Sequence, residues 1–318
     1  MHLLLVKTSS LGDVIHNLPV VSDIQRHLPG VRIDWVVEEA FADVPRLHAG
    51  VERVIPVGLR RWRRRPLSLQ TWRQMAAFRQ QLRATPYDLV IDTQGLLKSA
   101  LLVWLSGRPG AGFAEDSARE PAAVRYYQQT YTVDRQLHAV TRNRQLVAQA
   151  LGFAVDAAAD YGIGQGVVGA APSATAVLLT ATSRDDKLWP EAAWTELGRA
   201  LASRGLRCCL PAGSEHERER AARIATTIPA AEVVPPSSLP ALSGLLAQAR
   251  IVIGVDTGLV HLAAALGRPT IALFAASDPG LTGVLADVSS TVAAQNLGRR
   301  GAPPTAGEVI AAAATMLQ

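Results

Sequence analysis

Short apolar runs alternate along the chain with stretches in which apolar residues recur every three or four positions. The runs read as buried strands and the recurring stretches as helices laid over them. Strands are expected at 3–6, 32–37, 53–57 and 89–91, and again at 176–180, 206–210, 232–234, 251–255 and 270–274. In the first helical stretch Val14, Ile15, Leu18, Val21, Ile24 and Leu28 keep the spacing, and Pro29-Gly30 ends it. Further helices are expected at 42–48, 69–84, 96–105, 139–151, 192–203, 215–227, 239–248 and 259–266. A last helix opens at Thr305 with Glu308 three places on, the spacing of a capping box. Residues 107–131 mix Gly, Pro and charge without periodicity, which suits a loop lining a site. Alternation of this kind predicts the α/β class, with parallel sheets covered by helices in Rossmann-like domains.

At 318 residues the chain exceeds what one core usually supports, so two domains are expected, 1–160 and 161–318. The Gly-, Ala- and Pro-rich stretch 156–175 is the expected linker and hinge, and the C-terminal helix is a candidate to pack back towards the first domain. Hydrophobic content of 48% with 19% charged residues excludes a disordered chain. The net charge of +5 is uneven. Residues 1–160 hold 20 Lys plus Arg against 15 Asp plus Glu, whereas 161–318 hold 12 of each, so the first half should meet the more acidic partner. Cys208 and Cys209 are strand neighbours pointing to opposite faces, which argues against a disulfide, and no spacing resembles a metal site. With no signal-like segment and no apolar run near the roughly 20 residues of a membrane span, a soluble or peripheral protein in a reducing compartment is expected.

Two distant stretches share one grammar. Leu3-Leu4-Leu5-Val6 runs into Lys7-Thr8-Ser9-Ser10-Leu11-Gly12-Asp13, and Ile251-Val252-Ile253-Gly254-Val255 runs into Asp256-Thr257-Gly258-Leu259-Val260-His261. Each is a buried strand breaking at small polar residues into a helix start, where backbone N–H groups and the dipole favour anions at the carboxyl edge of a sheet. Asp13 could take a proton from an incoming hydroxyl. It could equally be the N3 residue of a helix capped by Ser10. At 256–258 the pattern fits a helix N-cap, with or without a diphosphate over Thr257 and Gly258; an aspartic-protease loop is excluded by the helix that follows. His261 reads as a ligand contact or as a packed core histidine. Thr182, Ser183 and Lys187 follow the first strand of the second half and suit phosphate oxygens, with a charged surface loop as the alternative. Lys7, Lys98 and Lys187 are the only lysines. Arg60-Arg61-Trp62-Arg63-Arg64-Arg65 is the densest charge run and could grip carboxylates or phosphates, joined by Arg119. Its confinement to one loop, without aromatic interleaving along a strand, argues against nucleic acid.

Six segments together, 7–16, 35–39, 60–63, 92–99, 183–191 and 256–262, resemble the lipopolysaccharide heptosyltransferases over nearly the whole chain. The arginine run and the first helix favour the type I branch over type II. The resemblance implies two facing Rossmann-like domains of the GT-B architecture with the active site in the interdomain cleft. It implies ADP-heptose as donor substrate on the second domain and Kdo-lipid A as acceptor on the first, with inversion and without a metal or other cofactor. Asp13 would be the general base, and Lys187 would act in catalysis while holding the diphosphate with Thr182 and Ser183. Asp256, Thr257, Gly258 and His261 would line the donor pocket, and Glu217 would meet the ribose. Ser9, Ser10, Arg60, Arg61, Arg63, Gln94, Lys98 and Arg119 would face the acceptor. The implied location is the cytoplasmic face of the inner membrane, as a peripheral enzyme without a transmembrane segment. Where the family often has two threonines this chain has Thr182-Ser183, which keeps the hydroxyl. A sugar-nucleotide 2-epimerase and a non-enzymatic nucleotide sensor on anionic lipid are the competing readings.

Overall fold

The computed structural model describes residues 1–155, 158–163, 173–288 and 293–318. Most of the expected linker, 156–175, therefore lies outside the described residues. The chain divides into two compact units, Met1–Gly162 and Ile163–Gln318.

The first unit holds β1 (His2–Val6), β2 (Arg32–Glu38), β3 (Arg53–Val57), β4 (Leu89–Asp92), β5 (Gly110–Phe113) and β6 (Gln129–Tyr131). They form one parallel sheet in the order β3-β2-β1-β4-β5-β6. The second unit repeats the plan with β7 (Thr175–Leu179), β8 (Arg207–Pro211), β9 (Glu232–Val234), β10 (Ile251–Val255), β11 (Thr270–Phe274) and β12 (Ala294–Gly298), ordered β12-β11-β10-β7-β8-β9. Read from its first strand, each sheet has the doubly wound order 3-2-1-4-5-6. The chain therefore reverses direction across each sheet between its first and fourth strands, β1/β4 and β7/β10, and opens a crevice at their carboxyl ends.

All residues of β1, β7, β10 and β11 are buried, as expected for strands covered on both faces. Trp62, Phe78 and Leu82 pack over Leu4, Val6 and Ile55 in the first unit. Trp194 and Leu197 pack over Ala176 and Leu178 in the second. The C-terminal helix Ala306–Met316 buries Val309 and Ala313 in that second core, and Glu308 accepts the Thr305 N–H at 2.7 Å in the expected capping box.

Three expectations are corrected. The first helical stretch is two helices, Leu11–Ile15 and Leu18–His27, because Pro19 has no N–H to continue the ladder and is accommodated only in a first turn. Residues 107–131 are not one irregular loop but contain β5, β6 and the 3-10 helix Pro121–Tyr126. The arginine run is not a loop but the helix Leu59–Arg64.

One buried group in this unit has a pH consequence. His48 Nδ1 accepts the Gly50 N–H at 2.9 Å, so Nε2 carries the proton and donates to Ser22 Oγ at 2.9 Å. Burial draws its pKa from 6.5 down to about 4, against an opposing pull from Asp160. The unfolded chain therefore binds the proton first as pH falls, and stability present above 6.5 is lost towards 4. The loss is expected to reach about 3 kcal/mol. Urea midpoints across that range should show this limb in the wild type and lack it in His48→Gln.

Candidate active site

In the first unit the polar residues gather at the ends of β1 and β4. Asp13 sits in the first turn of helix Leu11–Ile15, where its Oδ2 accepts the Ser10 N–H at 2.9 Å and the Ser10 hydroxyl at 3.0 Å. Its Oδ1 accepts Arg119 Nη2 at 2.9 Å. The helix-start reading of Asp13 is thus satisfied, and the carboxylate also faces a cation from the loop after β5. Burial would raise its pKa, but the Lys7 ammonium, the Arg119 guanidinium and the Ser10 N–H outweigh burial and hold it well below the usual carboxylate range. Lys7 is itself buried, donating to Thr93 O at 2.7 Å and Asn143 Oδ1 at 3.3 Å. Burial draws its pKa down to about 8 although Asp13 pulls the other way.

The loop that presents Asp13 is pinned from β4. Gln94 is buried, accepting the Thr8 N–H and the Thr8 hydroxyl, each at 2.7 Å, and donating to the Ser9 carbonyl. Its amide therefore holds the loop, where sequence placed it among acceptor contacts. Ser9 is likewise engaged, accepting Lys98 Nζ at 2.7 Å, while Ser10 is exposed. Burial lowers the Lys98 pKa, and its ammonium feels Glu38, Arg60, Asp13 and Arg63. Lys98 is thus tied to the Asp13 loop and lies within electrostatic reach of the arginine helix. On that helix Trp62 is buried, leaving Arg60, Arg61 and Arg63 exposed around it. Arg60 lies 5.0 Å over the Phe41 ring, and Arg61 pairs with Glu39 at 2.8 Å. A pocket of about 620 Å³ opens beside them, lined among others by Glu38, Arg60, Arg61, Arg64 and Arg65.

In the second unit the equivalent position, the ends of β7 and β10, carries the second constellation. Lys187 closes the 3-10 turn Asp185–Lys187 and donates to Asp256 Oδ2 at 2.6 Å. Asp256 also accepts Ser277 Oγ at 2.5 Å, and His261 Nε2 lies 3.5 Å from its Oδ1. Burial raises the Asp256 pKa, but His261, Lys187 and Ser277 together hold it well below the usual carboxylate range. Asp256 and His261 are buried, and Asp256 fixes Lys187; Lys187, Asp256, Gly258 and His261, expected at the donor, stand beside the pocket described next and not in its lining. Thr257 is the N-cap of helix Gly258–Ala265, as the N-cap reading required. Thr182 Oγ1 donates to the Asp256 carbonyl at 3.4 Å, and Ser183 is exposed.

Thr182, Ser183, Glu217 and Thr257 line one pocket of about 290 Å³, together with Pro211, Pro235 and Leu242. Glu217 Oε2 accepts the Gly213 and Ser214 N–H groups at 2.8 and 2.9 Å, so it caps its helix as well as lining the pocket. Sequence reasoning missed Asn143, Ser277 and the apolar lining. The signal for the lining was available, since Pro211 and Pro235 stand at or just beyond the ends of β8 and β9 on the same sheet edge. Among the described residues no group of three or more His, Cys, Asp or Glu is arranged to hold a metal, and no helix is long and apolar enough to cross a membrane.

Comparison with known proteins gives a consistent result. Residues 75–301 match the family model described as glycosyltransferase family 9 (heptosyltransferase). Lipopolysaccharide heptosyltransferase 1 of Pseudomonas aeruginosa is 50% identical over 290 residues, covering 89% of this chain and 81% of that protein. The protein of the same name from Escherichia coli K12 is 48% identical over 288 residues, covering 89% and 90%. The E. coli heptosyltransferase WaaC solved with ADP superposes with a TM-score of 0.90 at 44% identity, covering 97% of this chain and 98% of that one. The same enzyme with ADP-2-deoxy-2-fluoro heptose gives 0.87 at 43%, with the same coverage.

Proposed function

The chain belongs to glycosyltransferase family 9, and on that premise we propose that it moves L-glycero-D-manno-heptose from ADP-heptose to the Kdo sugar of Kdo-lipid A in the lipopolysaccharide inner core. The observation that carries the reading is a division of charge. A carboxylate, Asp13, stands at the switch point of one sheet, and an ammonium, Lys187, stands at the equivalent point of the other. Group transfer with inversion needs those two charges on opposite sides of the sugar.

The unit Met1–Gly162 takes the acceptor and the unit Ile163–Gln318 the donor. ADP occupies the pocket lined by Thr182, Ser183, Glu217 and Thr257, with the diphosphate towards the start of helix Gly258–Ala265. Lys187 turns from Asp256 to the diphosphate. As the anomeric C–O bond lengthens, charge grows on the departing oxygen and the ammonium neutralises it, which lets the reaction proceed without a metal. The Kdo hydroxyl attacks the anomeric carbon from the other face and passes its proton to Asp13. With so low a pKa Asp13 is a weak base, so the proton moves late, once the forming C–O bond has made the hydroxyl acidic. Arg119 orients Asp13, and Arg60, Arg61, Arg63 and Lys98 take the acceptor's carboxylates and phosphates. The enzyme works on the cytoplasmic face of the inner membrane without spanning it.

ADP release should be seen with ADP-heptose and Kdo-lipid A and should vanish when lipid A lacks Kdo. Equal release from lipid A without Kdo would sink the acceptor assignment. Isomerised donor formed with no acceptor present would point to the epimerase reading.

A further inference from the structure

The positive charge of this chain is concentrated in one short stretch. Residues 60–84 hold eight arginines and no Asp or Glu, against a net charge of +5 for the whole chain, so the remainder is net negative by three. The stretch runs through helix Leu59–Arg64, a turn, and helix Leu69–Ala84.

Its inward side is complete. Trp62 packs edge-on against Phe78 with ring centroids 5.7 Å apart, and Trp62 Nε1 donates to Gln74 Oε1 at 3.0 Å. The Thr71 hydroxyl closes the turn on Arg65 O at 2.8 Å, and Leu82 is in the core. The outward side is nonetheless apolar. Leu67 is 91% exposed, Leu69 77% and Trp72 59%, values that no packing within this unit accounts for. At three-residue spacing Leu69, Trp72 and Met75 lie along one side of the helix, with Arg73, Arg79 and Arg83 set among them. The next helix, Leu97–Ser106, exposes Leu97, Leu101 and Trp104, a stripe at i, i+4 and i+7. The two helices meet where Arg83 Nε donates to the Leu105 carbonyl at 3.0 Å, so the two stripes belong to adjoining surfaces.

We propose that this face docks on an anionic lipid bilayer, with Leu67, Leu69, Trp72 and Met75 entering the headgroup layer and the arginines pairing with lipid phosphates. Aromatic and aliphatic tips on a stretch that carries eight arginines and no acid of its own match the chemistry of that layer, apolar below and negative above. The inference rests on the reading that the acceptor is a membrane lipid, and deepens it by naming the side that faces the lipid. Lys98, on the helix that bears the second stripe, reaches Ser9 in the loop that presents Asp13.

The test is sedimentation of the full chain with vesicles of phosphatidylcholine alone and of equal parts phosphatidylcholine and phosphatidylglycerol. Binding is expected only to the anionic vesicles and should weaken with salt. Each of Arg73→Ala and Arg79→Ala should reduce it roughly five-fold, and the double variant Leu69→Ser/Trp72→Ser by at least about ten-fold. All of these variants should release ADP normally with a water-soluble, chain-free Kdo acceptor, which reports that they are folded. Absence of vesicle binding by the wild type, or binding untouched by these substitutions, would overturn the proposal. So would a wild-type dimer that Leu69→Ser/Trp72→Ser dissolves, since a second copy would then cover the face. Failure of the wild type to turn over the chain-free Kdo acceptor would instead strike the enzymatic reading and leave the vesicle result standing.

Discussion

Asp13→Asn is expected to lower kcat by about 10² to 10⁴ fold while leaving donor affinity little changed. The amide keeps the shape and an oxygen for the Ser10 N–H, so the helix start survives, but it cannot take the proton. Because Lys7, Arg119 and the Ser10 N–H hold the carboxyl far down against burial, it stays ionised throughout the neutral range. The acid limb of the kcat/KM profile should accordingly lie below the ordinary carboxylate range. Lys7→Met removes a cation from beside the acid and should move that limb to higher pH. Steady-state rates at limiting and saturating acceptor across pH check these statements. A near-normal kcat in Asp13→Asn would remove Asp13 from the chemistry.

Lys187→Ala is expected to cost about 10² to 10³ fold in kcat, the usual loss when one preorganised donor to a developing anion is removed. Donor affinity should fall as well, because the same ammonium meets the diphosphate in the ground state. The fold should tolerate the change: Asp256 keeps Ser277 and the neighbouring His261. Lys187→Arg should recover part of the affinity and less of the rate, since a planar fork does not occupy the place of a point charge. Calorimetric binding of ADP beside kcat measurements separates the two effects. Unchanged turnover in Lys187→Ala would mean that another group neutralises the leaving diphosphate.

How far the sequence carried depended on whether local signals and tertiary packing agreed. Helices Leu69–Ala84, Ala139–Leu151 and Leu239–Gln248 were readable to their ends from apolar periodicity, with Gly152 as a stop signal for the second. β5 was not, because Gly110-Ala111-Gly112-Phe113 lacks the branched residues that mark a strand. Its glycines answer to neighbours the sequence does not show. A Cβ on Gly110 would lie 2.3 Å from Val103 Cγ1, and one on Gly112 would lie 2.4 Å from the Tyr127 ring. Helix Leu59–Arg64 was hidden for a related reason: arginines surround its one buried residue, Trp62, and leave no apolar stripe to detect. At the candidate site the residues on strand-to-helix turns were legible from motif grammar. The supports were not: Gln94 was named, but its hold on the Thr8-Ser9 loop shows only once β4 is paired with β1, and Asn143 joins only when the helix Ala139–Leu151 brings it to Lys7.

The ion pair between Lys187 and Asp256 also bears on how the cycle ends. On the proposed reading, an ammonium already seated on a carboxylate gains less by capturing diphosphate than one with no partner to leave, so the latch should hold nucleotide affinity down. After the sugar has left, Asp256 can take the ammonium back. In that cycle the carboxylate that positions the lysine would also hasten departure of the spent nucleotide before the next turnover.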